Sequence, residues 1–405
     1  MTRRTCRGPL SLLAAFALLG TGGMAACQSV TLAPVPAPVT AAALAATKRS
    51  GDLIDRVALT DLDPLVRASG ASVYRIRYRS SSAWGGRPVA VSAVAALPPG
   101  DPPPGGWPVV AFAHGTSGIL PECAPSLAPT MLGSAAPVAG FVAKGFAVVA
   151  TDYEGIGEAG THAYLDAQAA GANVVDSVRA LRALRPGAVS NRWLTVGGSQ
   201  GGGAVWGANE AAAARAPELR LLGVVAMVPA ADMTAYVDLA AAGRLGPDQT
   251  AAYVWMLMAQ GRGRPSLDLD LYRRGSTAAN WRSLSYCYGP HAQERMDALA
   301  KIVPDELKPA SPKAAARLKA LFAAMSLPKR RGAAPMLVLY AGRDSFIDPP
   351  WIRTAIARAC AMGTPVEAIF QPDKGHGEVD IAPALEWMGH RLAGDPVRAP
   401  CRQAH

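Results

Sequence analysis

The sequence lacks several patterns that would assign it to a class at once. Its six cysteines include no C-x-x-C pair, so a zinc site or a redox-active dithiol of that type is not expected. No internal repeat occurs, and the 41 glycines and 34 prolines are not periodic, which excludes collagen-like and solenoid structures. No nucleic-acid-binding motif is present, and the basic residues are scattered although the formal net charge is +10.

Hydrophobic residues make up 50% of the 405-residue chain, enough for a sizeable core in one large domain or two smaller ones. Apolar runs alternate with alanine-rich helical runs over 49–231 and 329–405. This alternation predicts an α/β fold, with a mostly parallel sheet flanked by helices. Residues 232–328 interrupt it with helical segments alone, and we expect them to form a helical cap or lid. Strands are predicted at 74–78, 88–97, 109–113, 147–150, 193–196, 221–228, 335–340 and 366–370, and core helices at 167–185, 202–216, 351–362 and 382–392.

Residues 1–26 have the pattern of an export signal. A positively charged start precedes an apolar run, 10–19, that is too short to span a bilayer stably. Met24-Ala25-Ala26-Cys27 resembles a bacterial lipobox, which predicts a lipidated Cys27 and a membrane tether; an ordinary cleaved signal is the alternative. The proline-rich segment 27–48 is typical of an extended tether. Both alternatives predict an exported protein, either a cell-envelope lipoprotein or a secreted one.

Export changes what the remaining cysteines indicate. In an oxidising compartment, four cysteines outside the signal and the lipobox favour two disulfides, and three pairings are possible. These cysteines are Cys123, Cys287, Cys360 and Cys401.

The most informative stretch is Gly197-Gly198-Ser199-Gln200-Gly201. It follows the apolar run 193–196 and precedes the helix-forming run 202–216. A serine on a glycine turn between a strand and a helix is typical of a nucleophile elbow. An oxyanion forming there would meet free backbone N–H groups and the positive end of the helix dipole. A glycine turn with an incidental serine is the alternative.

A nucleophilic serine needs a base and a group that orients the base. In this fold the chain order is serine, acid, histidine. Asp344 follows the strand predicted at 335–340, whereas the nearby Asp348 could instead cap the next helix. His376 lies between two glycines just after the last strand. We therefore predict Ser199 as nucleophile, His376 as base and Asp344 as its partner.

With these residues placed, the chain resembles the secretory lipase family, the lipase-A-like branch of the α/β-hydrolases. Ser199, Asp344 and His376 fall on the nucleophile, acid and base of that family. Two further segments carry the resemblance, Cys123-Ala124-Pro125-Ser126 and Thr151-Asp152-Tyr153-Glu154-Gly155. The resemblance implies an α/β-hydrolase fold with a cap.

The resemblance also implies an oxyanion hole. In it, the Asp152 side chain would act together with the backbone N–H of Gln200. A carboxyl group donates only when it is protonated, so this role requires burial to raise the pKa of Asp152. A loop-capping role for Asp152 remains open, and so does a second donor from the His114–Gly115 loop.

For the cysteines, the resemblance implies that Cys123 pairs with Cys287 and that Cys360 pairs with Cys401. The first bond would tie the catalytic core to the insertion, and the second would pin the C-terminus. The predicted lipid anchor sets this chain apart from the fungal members of the family.

Taken together, these residues predict an exported serine carboxylic ester hydrolase that acts on esters or acylglycerols through an acyl-enzyme. No cofactor, metal ion or nucleic acid is expected. A serine peptidase or acyltransferase on the same scaffold is the main alternative, and a non-enzymatic surface lipoprotein is a further one. Within the insertion, the apolar run 253–258 fits an acyl pocket and the core of the cap equally well.

Overall fold

The computed structural model of the chain describes residues 32–287, 291–398 and 400–401. The predicted signal peptide and Cys27 lie outside the described residues. Within the described ranges, no helix combines the length and the hydrophobicity that a membrane span requires.

A nine-stranded sheet forms the centre of the molecule, in the order β1-β2-β3-β5-β4-β6-β7-β8-β9. The strands from β5 to β9 in this order run parallel, and β1, β2 and β3 join the sheet in antiparallel fashion. The predicted fold class, α/β with a mostly parallel sheet, is confirmed. The strands are β1 (Leu53–Ala58), β2 (Ser72–Ser81), β3 (Pro88–Leu97), β4 (Trp107–Ala113), β5 (Ala147–Thr151), β6 (Val189–Gly198), β7 (Arg220–Met227), β8 (Met336–Arg343) and β9 (Val366–Gly375).

Helices cover both faces of the sheet, as the apolar composition of its central strands requires. Side chains alternate across a strand, and in β4 Val109 and Ala111 belong to one buried cluster while Val110 and Phe112 belong to another. Helices α4, α5 and α12 pack in the first cluster, and α3 and α13 pack in the second. The helices are α1 (Ala41–Ala46), α2 (Pro64–Ala68), α3 (Ala135–Ala143), α4 (Ala167–Leu184), α5 (Gln200–Arg215), α6 (Ala235–Ala241), α7 (Pro247–Gly263), α8 (Gly275–Ala279), α9 (Trp281–Leu284), α10 (Ala292–Leu299), α11 (Pro312–Met325), α12 (Pro349–Ala361) and α13 (Ala382–Ala393).

Between β7 and β8, the described residues form helices α6 to α11 and no strand. These helices lie within the predicted insertion. Side chains of α7 and α11, among them Tyr253 and Phe322, belong to the same buried cluster as α4 and α5. The insertion is therefore packed against the core rather than held apart from it.

The proline-rich segment differs from the extended tether that its composition predicts. Its described part lies along the core. Ala33 N–H donates to the Leu127 carbonyl at 2.7 Å, and the Arg77 guanidinium donates to the Ala37 carbonyl at 3.0 Å. Proline lacks an N–H donor, but the carbonyls of a proline-rich segment remain available as acceptors, and core residues use them here.

The described residues include two disulfides, and their pairing is the predicted one. Cys123 is bonded to Cys287 across 164 residues, which links the loop after β4 to the helical insertion. Cys360 in α12 is bonded to Cys401 across 41 residues, which holds the C-terminal segment against the core.

Candidate active site

Ser199 occupies the sharp turn between β6 and α5. Its backbone lies at φ 58° and ψ −119°, a region that side-chain-bearing residues rarely adopt and that is typical of strained functional turns. The turn depends on glycine, because a Cβ on Gly201 would lie 2.0 Å from the Ala113 carbonyl oxygen. The Ser199 N–H donates to the Met227 carbonyl at 2.9 Å, which ties the turn to β7.

The structure brings Ser199, His376 and Asp344 together although they are far apart in the chain. Ser199 Oγ donates to His376 Nε2 at 2.9 Å, and His376 Nδ1 donates to Asp344 Oδ2 at 2.7 Å. The other oxygen of Asp344, Oδ1, accepts from the N–H groups of Phe346 and Ile347 at 2.8 and 2.9 Å. This geometry gives His376 the tautomer that can accept a proton from a serine hydroxyl.

Asp348, the alternative acid, is not bonded to His376. It stands at the N-cap position of α12, although its side chain makes no capping hydrogen bond. Of the two acids after β8, only Asp344 reaches the imidazole.

Gln200 is the first residue of α5, so its N–H is among those that a helix leaves without an intrahelical partner. Gly115, in the loop after β4, lines the same cavity as Ser199. A hydrogen bond anchors that loop, since the Tyr153 hydroxyl donates to the His114 carbonyl at 2.8 Å. The Gln200 N–H directly follows the nucleophile and Gly115 borders its cavity, so both are candidate donors to an oxyanion.

Asp152 does not fit the oxyanion role that the resemblance implies, and this expectation needs correction. Its side chain is fully buried and does not line the cavity at Ser199. Oδ2 accepts from the Ser92 hydroxyl at 2.6 Å, and Oδ1 accepts from the Ser126 N–H at 3.0 Å. Because both oxygens act as acceptors inside the core, the carboxylate anchors the segment around Ser126. The geometry supports the structural alternative for Asp152.

Behind Gln200 lies a buried histidine that the sequence pattern did not single out. His162 Nε2 lies 2.9 Å from Gln200 Nε2, and His162 Nδ1 lies 2.9 Å from the Glu154 carbonyl oxygen. Burial lowers the pKa of His162 to about 4, so the ring is neutral near pH 7. Its only sequence signal is its place shortly after the Thr151–Gly155 segment.

A cavity of about 1160 Å³ opens over Ser199 and His376. The loop after β4 lines one side of it, and residues of α7 and α10 line the other. Of the apolar run 253–258, Trp255 contributes to the cavity wall, while its neighbours Tyr253, Met256 and Leu257 are buried in the core cluster. The run is thus mainly cap core with one aromatic residue at the cavity.

Residues 132–247 match the model of the family described as secretory lipase. The likeness to that family is shown over this segment of the chain. This match confirms the resemblance drawn from the motifs and supports the predicted enzyme class, a carboxylic ester hydrolase. The matched segment includes Ser199 and Gln200 and ends before Asp344 and His376. No curated protein matches the chain.

Solved structures share most of the fold at low identity. Candida antarctica lipase A in its closed state is 16% identical, with a TM-score of 0.70 over 87% of this chain and 84% of that one. A putative hydrolase from Legionella pneumophila is 16% identical, with a TM-score of 0.68 over 85% of this chain and 100% of that one. The rice cell wall degrading esterase LipA from Xanthomonas oryzae is 19% identical, with a TM-score of 0.65 over 85% and 97%. These likenesses establish the fold.

Proposed function

We propose that this protein is an exported serine carboxylic ester hydrolase that works through an acyl-enzyme on Ser199. One observation carries the proposal: a single imidazole, that of His376, bonds Ser199 Oγ at 2.9 Å and Asp344 Oδ2 at 2.7 Å. Nucleophile, base and orienting acid in this order and geometry are what acyl transfer through a serine requires.

In the acylation step, Ser199 Oγ attacks the ester carbonyl carbon while His376 Nε2 takes the hydroxyl proton. Asp344 stabilises the imidazolium that forms. When the tetrahedral intermediate collapses, the bond to the alcohol oxygen breaks and His376 returns the proton to that oxygen. The alcohol leaves, and the acyl group remains on Ser199.

The developing oxyanion needs donors that are already in place. We assign the first to the Gln200 N–H at the start of α5 and the second to the Gly115 backbone. A single donor of this kind contributes roughly 10²- to 10³-fold to kcat. Asp152 is not needed as a donor.

Deacylation repeats the same steps with water in place of the alcohol. The water oxygen attacks the acyl carbonyl carbon while His376 accepts a proton from that water. His376 then returns the proton to Ser199 Oγ. The acid is released, and the site is restored without a cofactor.

The substrate is an ester or acylglycerol with a sizeable acyl or alcohol group. Small-molecule sites usually measure about 300–1,000 Å³, and the cavity at Ser199 is somewhat larger than that range, at about 1160 Å³. We expect butyrate and longer esters to be hydrolysed with higher kcat/KM than acetate.

The family match and the two disulfides are consistent with an exported protein. A lipid on Cys27 would add a membrane tether. Mass spectrometry of the processed N-terminus distinguishes this tether from a simple cleavage.

The test is a panel of p-nitrophenyl esters from acetate to palmitate, run on the wild type, Ser199→Ala and a matched control, Ser266→Ala. Ser266 is exposed in the insertion and away from the triad. We expect Ser199→Ala to lose hydrolysis of every ester and labelling by a fluorophosphonate, and Ser266→Ala to keep both. Retained hydrolysis in Ser199→Ala would refute the mechanism. Cleavage of peptides without cleavage of esters would favour the peptidase alternative.

A further inference from the structure

Gln200 carries its polar side chain away from the reaction and into the protein. The residue is 3% exposed, and it directly follows the nucleophile. Its amide nitrogen meets His162 Nε2 at 2.9 Å. Its amide oxygen has no hydrogen-bond partner among the residues that the structure describes, so the bond to His162 is what orients the amide.

The contacts of the two ring nitrogens of His162 determine which of them carries the proton. A carbonyl oxygen only accepts, so His162 Nδ1 must carry a proton in order to donate to the Glu154 carbonyl. Because burial keeps the ring neutral, Nε2 has a free lone pair and accepts from the Gln200 amide. One tautomer of one histidine therefore defines the whole contact.

His162 is itself held firmly. It is 4% exposed, and its ring lies near those of Tyr153 and Tyr164, with centroid distances of 6.0 and 6.2 Å. The backbone around it is close-packed, since a Cβ on Gly155 would lie 2.3 Å from the backbone nitrogen of His162. The Glu154 N–H donates to Asn173 Oδ1 at 3.0 Å, which connects this loop to α4.

We infer that His162 is a positioning residue for the oxyanion hole, holding the Gln200 side chain so that the first N–H of α5 points at the reacting carbonyl. The inference rests on the proposed function. His162 touches neither substrate nor triad; it acts through Gln200. The contact joins the loop after β5 to the first turn of α5, the helix that begins directly after the nucleophile.

Loss of this contact should affect the transition state more than substrate binding. Without its partner, the Gln200 amide is buried and unsatisfied, and the first turn of α5 is free to shift. Small misplacements of a catalytic group cost up to about 10²-fold in rate. We therefore expect kcat to fall about 10- to 100-fold, with KM changed by no more than about 2-fold.

The experiment compares His162→Phe, Gln200→Met, the double variant and His162→Gln. Phenylalanine keeps the ring packing without the nitrogens, and glutamine retains an amide oxygen near the place of Nε2. His390→Phe, on partly exposed α13, is the matched control. For each folded variant, the readouts are kcat, KM, melting temperature and the inhibition constant of 1-butaneboronic acid, whose tetrahedral adduct on Ser199 occupies the oxyanion hole.

We expect each single variant to lose kcat and boronic acid affinity by the same factor. The kcat of the double variant should be no more than about 3-fold below that of the less active single variant, because the two single substitutions remove the same hydrogen bond. His162→Gln should recover part of the loss, and His390→Phe should match the wild type.

Wild-type kcat and boronic acid affinity in folded His162→Phe would overturn the inference, and so would a loss confined to KM or melting temperature. If His162→Phe does not fold, His162→Gln and Gln200→Met decide the outcome by the same readouts. The proposed function fails separately, through retained hydrolysis in Ser199→Ala. An inactive Ser199→Ala together with an unaffected His162→Phe refutes the positioning role alone.

Discussion

At the scale of single residues, the role of each buried aspartate depends on which groups donate hydrogen bonds to its carboxylate oxygens. Asp344 and Asp152 are both buried carboxylates that follow a strand, yet their surroundings differ. Asp344 gives one oxygen to backbone N–H groups and the other to His376, whereas Asp152 gives both to the core. This difference separates an orienting acid from a structural anchor.

Asp344→Asn tests the first assignment. The N–H groups of Phe346 and Ile347 would hold the amide oxygen, which leaves the NH₂ group facing His376 Nδ1. Nδ1 would then have to accept, and Nε2 would carry the proton and could no longer take one from Ser199. We expect kcat to fall by about 10⁴-fold with the fold intact. Asp348→Asn is the control and should keep at least half of the activity; the reverse pattern would contradict the assignment.

Asp152→Asn tests the second assignment. An amide offers one acceptor oxygen where the carboxylate offers two, so if the oxygen still accepts from the Ser126 N–H, the Ser92 hydroxyl must reverse and accept from the NH₂ group. We expect the free energy of unfolding to drop by about 1–3 kcal/mol, with kcat of the folded protein within 3-fold of the wild type. Urea unfolding and ester kinetics measure the two effects, with Asp101→Asn in an exposed loop as control. A 10²-fold loss of kcat in folded Asp152→Ala, with kcat retained by Asp152→Asn, would restore the oxyanion role, because the asparagine NH₂ group could still donate.

At the scale of elements, the elbow is a close contact between β6, α5 and the end of β4. Gly197 and Gly201 both face backbone atoms at distances that exclude a side chain. The apolar strand and the alanine-rich helix could be predicted from composition alone. That the helix begins at Gln200, directly after the serine, follows from how closely these backbones approach.

Gly201→Ala should disrupt the elbow, because its Cβ would lie 2.0 Å from the Ala113 carbonyl oxygen. We expect a lower melting temperature and a loss of kcat of at least 10-fold as the turn is displaced. Gly389→Ala, also inside a helix, meets nothing within 4 Å and should be neutral or stabilising by about 0.5–1 kcal/mol. Equal behaviour of the two variants in thermal unfolding would contradict this account.

Some elements gave no clear sequence signal. Strand β1 (Leu53–Ala58) has partly exposed side chains and contains Asp55 and Arg56, so it shows no apolar run. Its strand conformation comes from pairing with β2 at the edge of the sheet. Helix α3 (Ala135–Ala143) contains a proline and a glycine, and burial against the sheet outweighs its weak propensity.

At the scale of the whole molecule, the core and the insertion act as one packed unit. They share a buried cluster, and the Cys123–Cys287 bond joins them beside the cavity. Several buried groups inside this unit have shifted pKa values. Burial raises the pKa of Glu154, Glu158 and Asp166, and lowers that of His162.

The free energy of unfolding should therefore fall in acid, in part because of His162. Burial lowers the pKa of His162 from 6.5 to about 4, so between these values the unfolded chain binds a proton that the folded chain does not. The stabilisation that comes from keeping His162 neutral is fully present above pH 6.5. It decreases by about 3 kcal/mol as the pH falls towards 4.

Urea unfolding of the wild type and His162→Phe at pH 7 and pH 4 measures this contribution. The buried carboxylates act in the opposite direction, but they are common to both proteins and cancel in the difference. We expect the stability difference between wild type and variant to shift by about 3 kcal/mol in favour of the variant at pH 4. A constant difference would show that His162 does not titrate in this way.

The sequence by itself determined the local features: the alternating strands and helices, the glycine turn that carries the serine, and the acid and histidine that follow the last two strands. These depend on runs of neighbouring residues, whose apolar spacing and glycine content are visible along the chain. Tertiary structure decided the rest, because hydrogen-bond partners in a folded core are chosen by distance in space. Only there does Asp152 turn towards Ser92 and Ser126, and only there does His162 meet Gln200 beside the nucleophile.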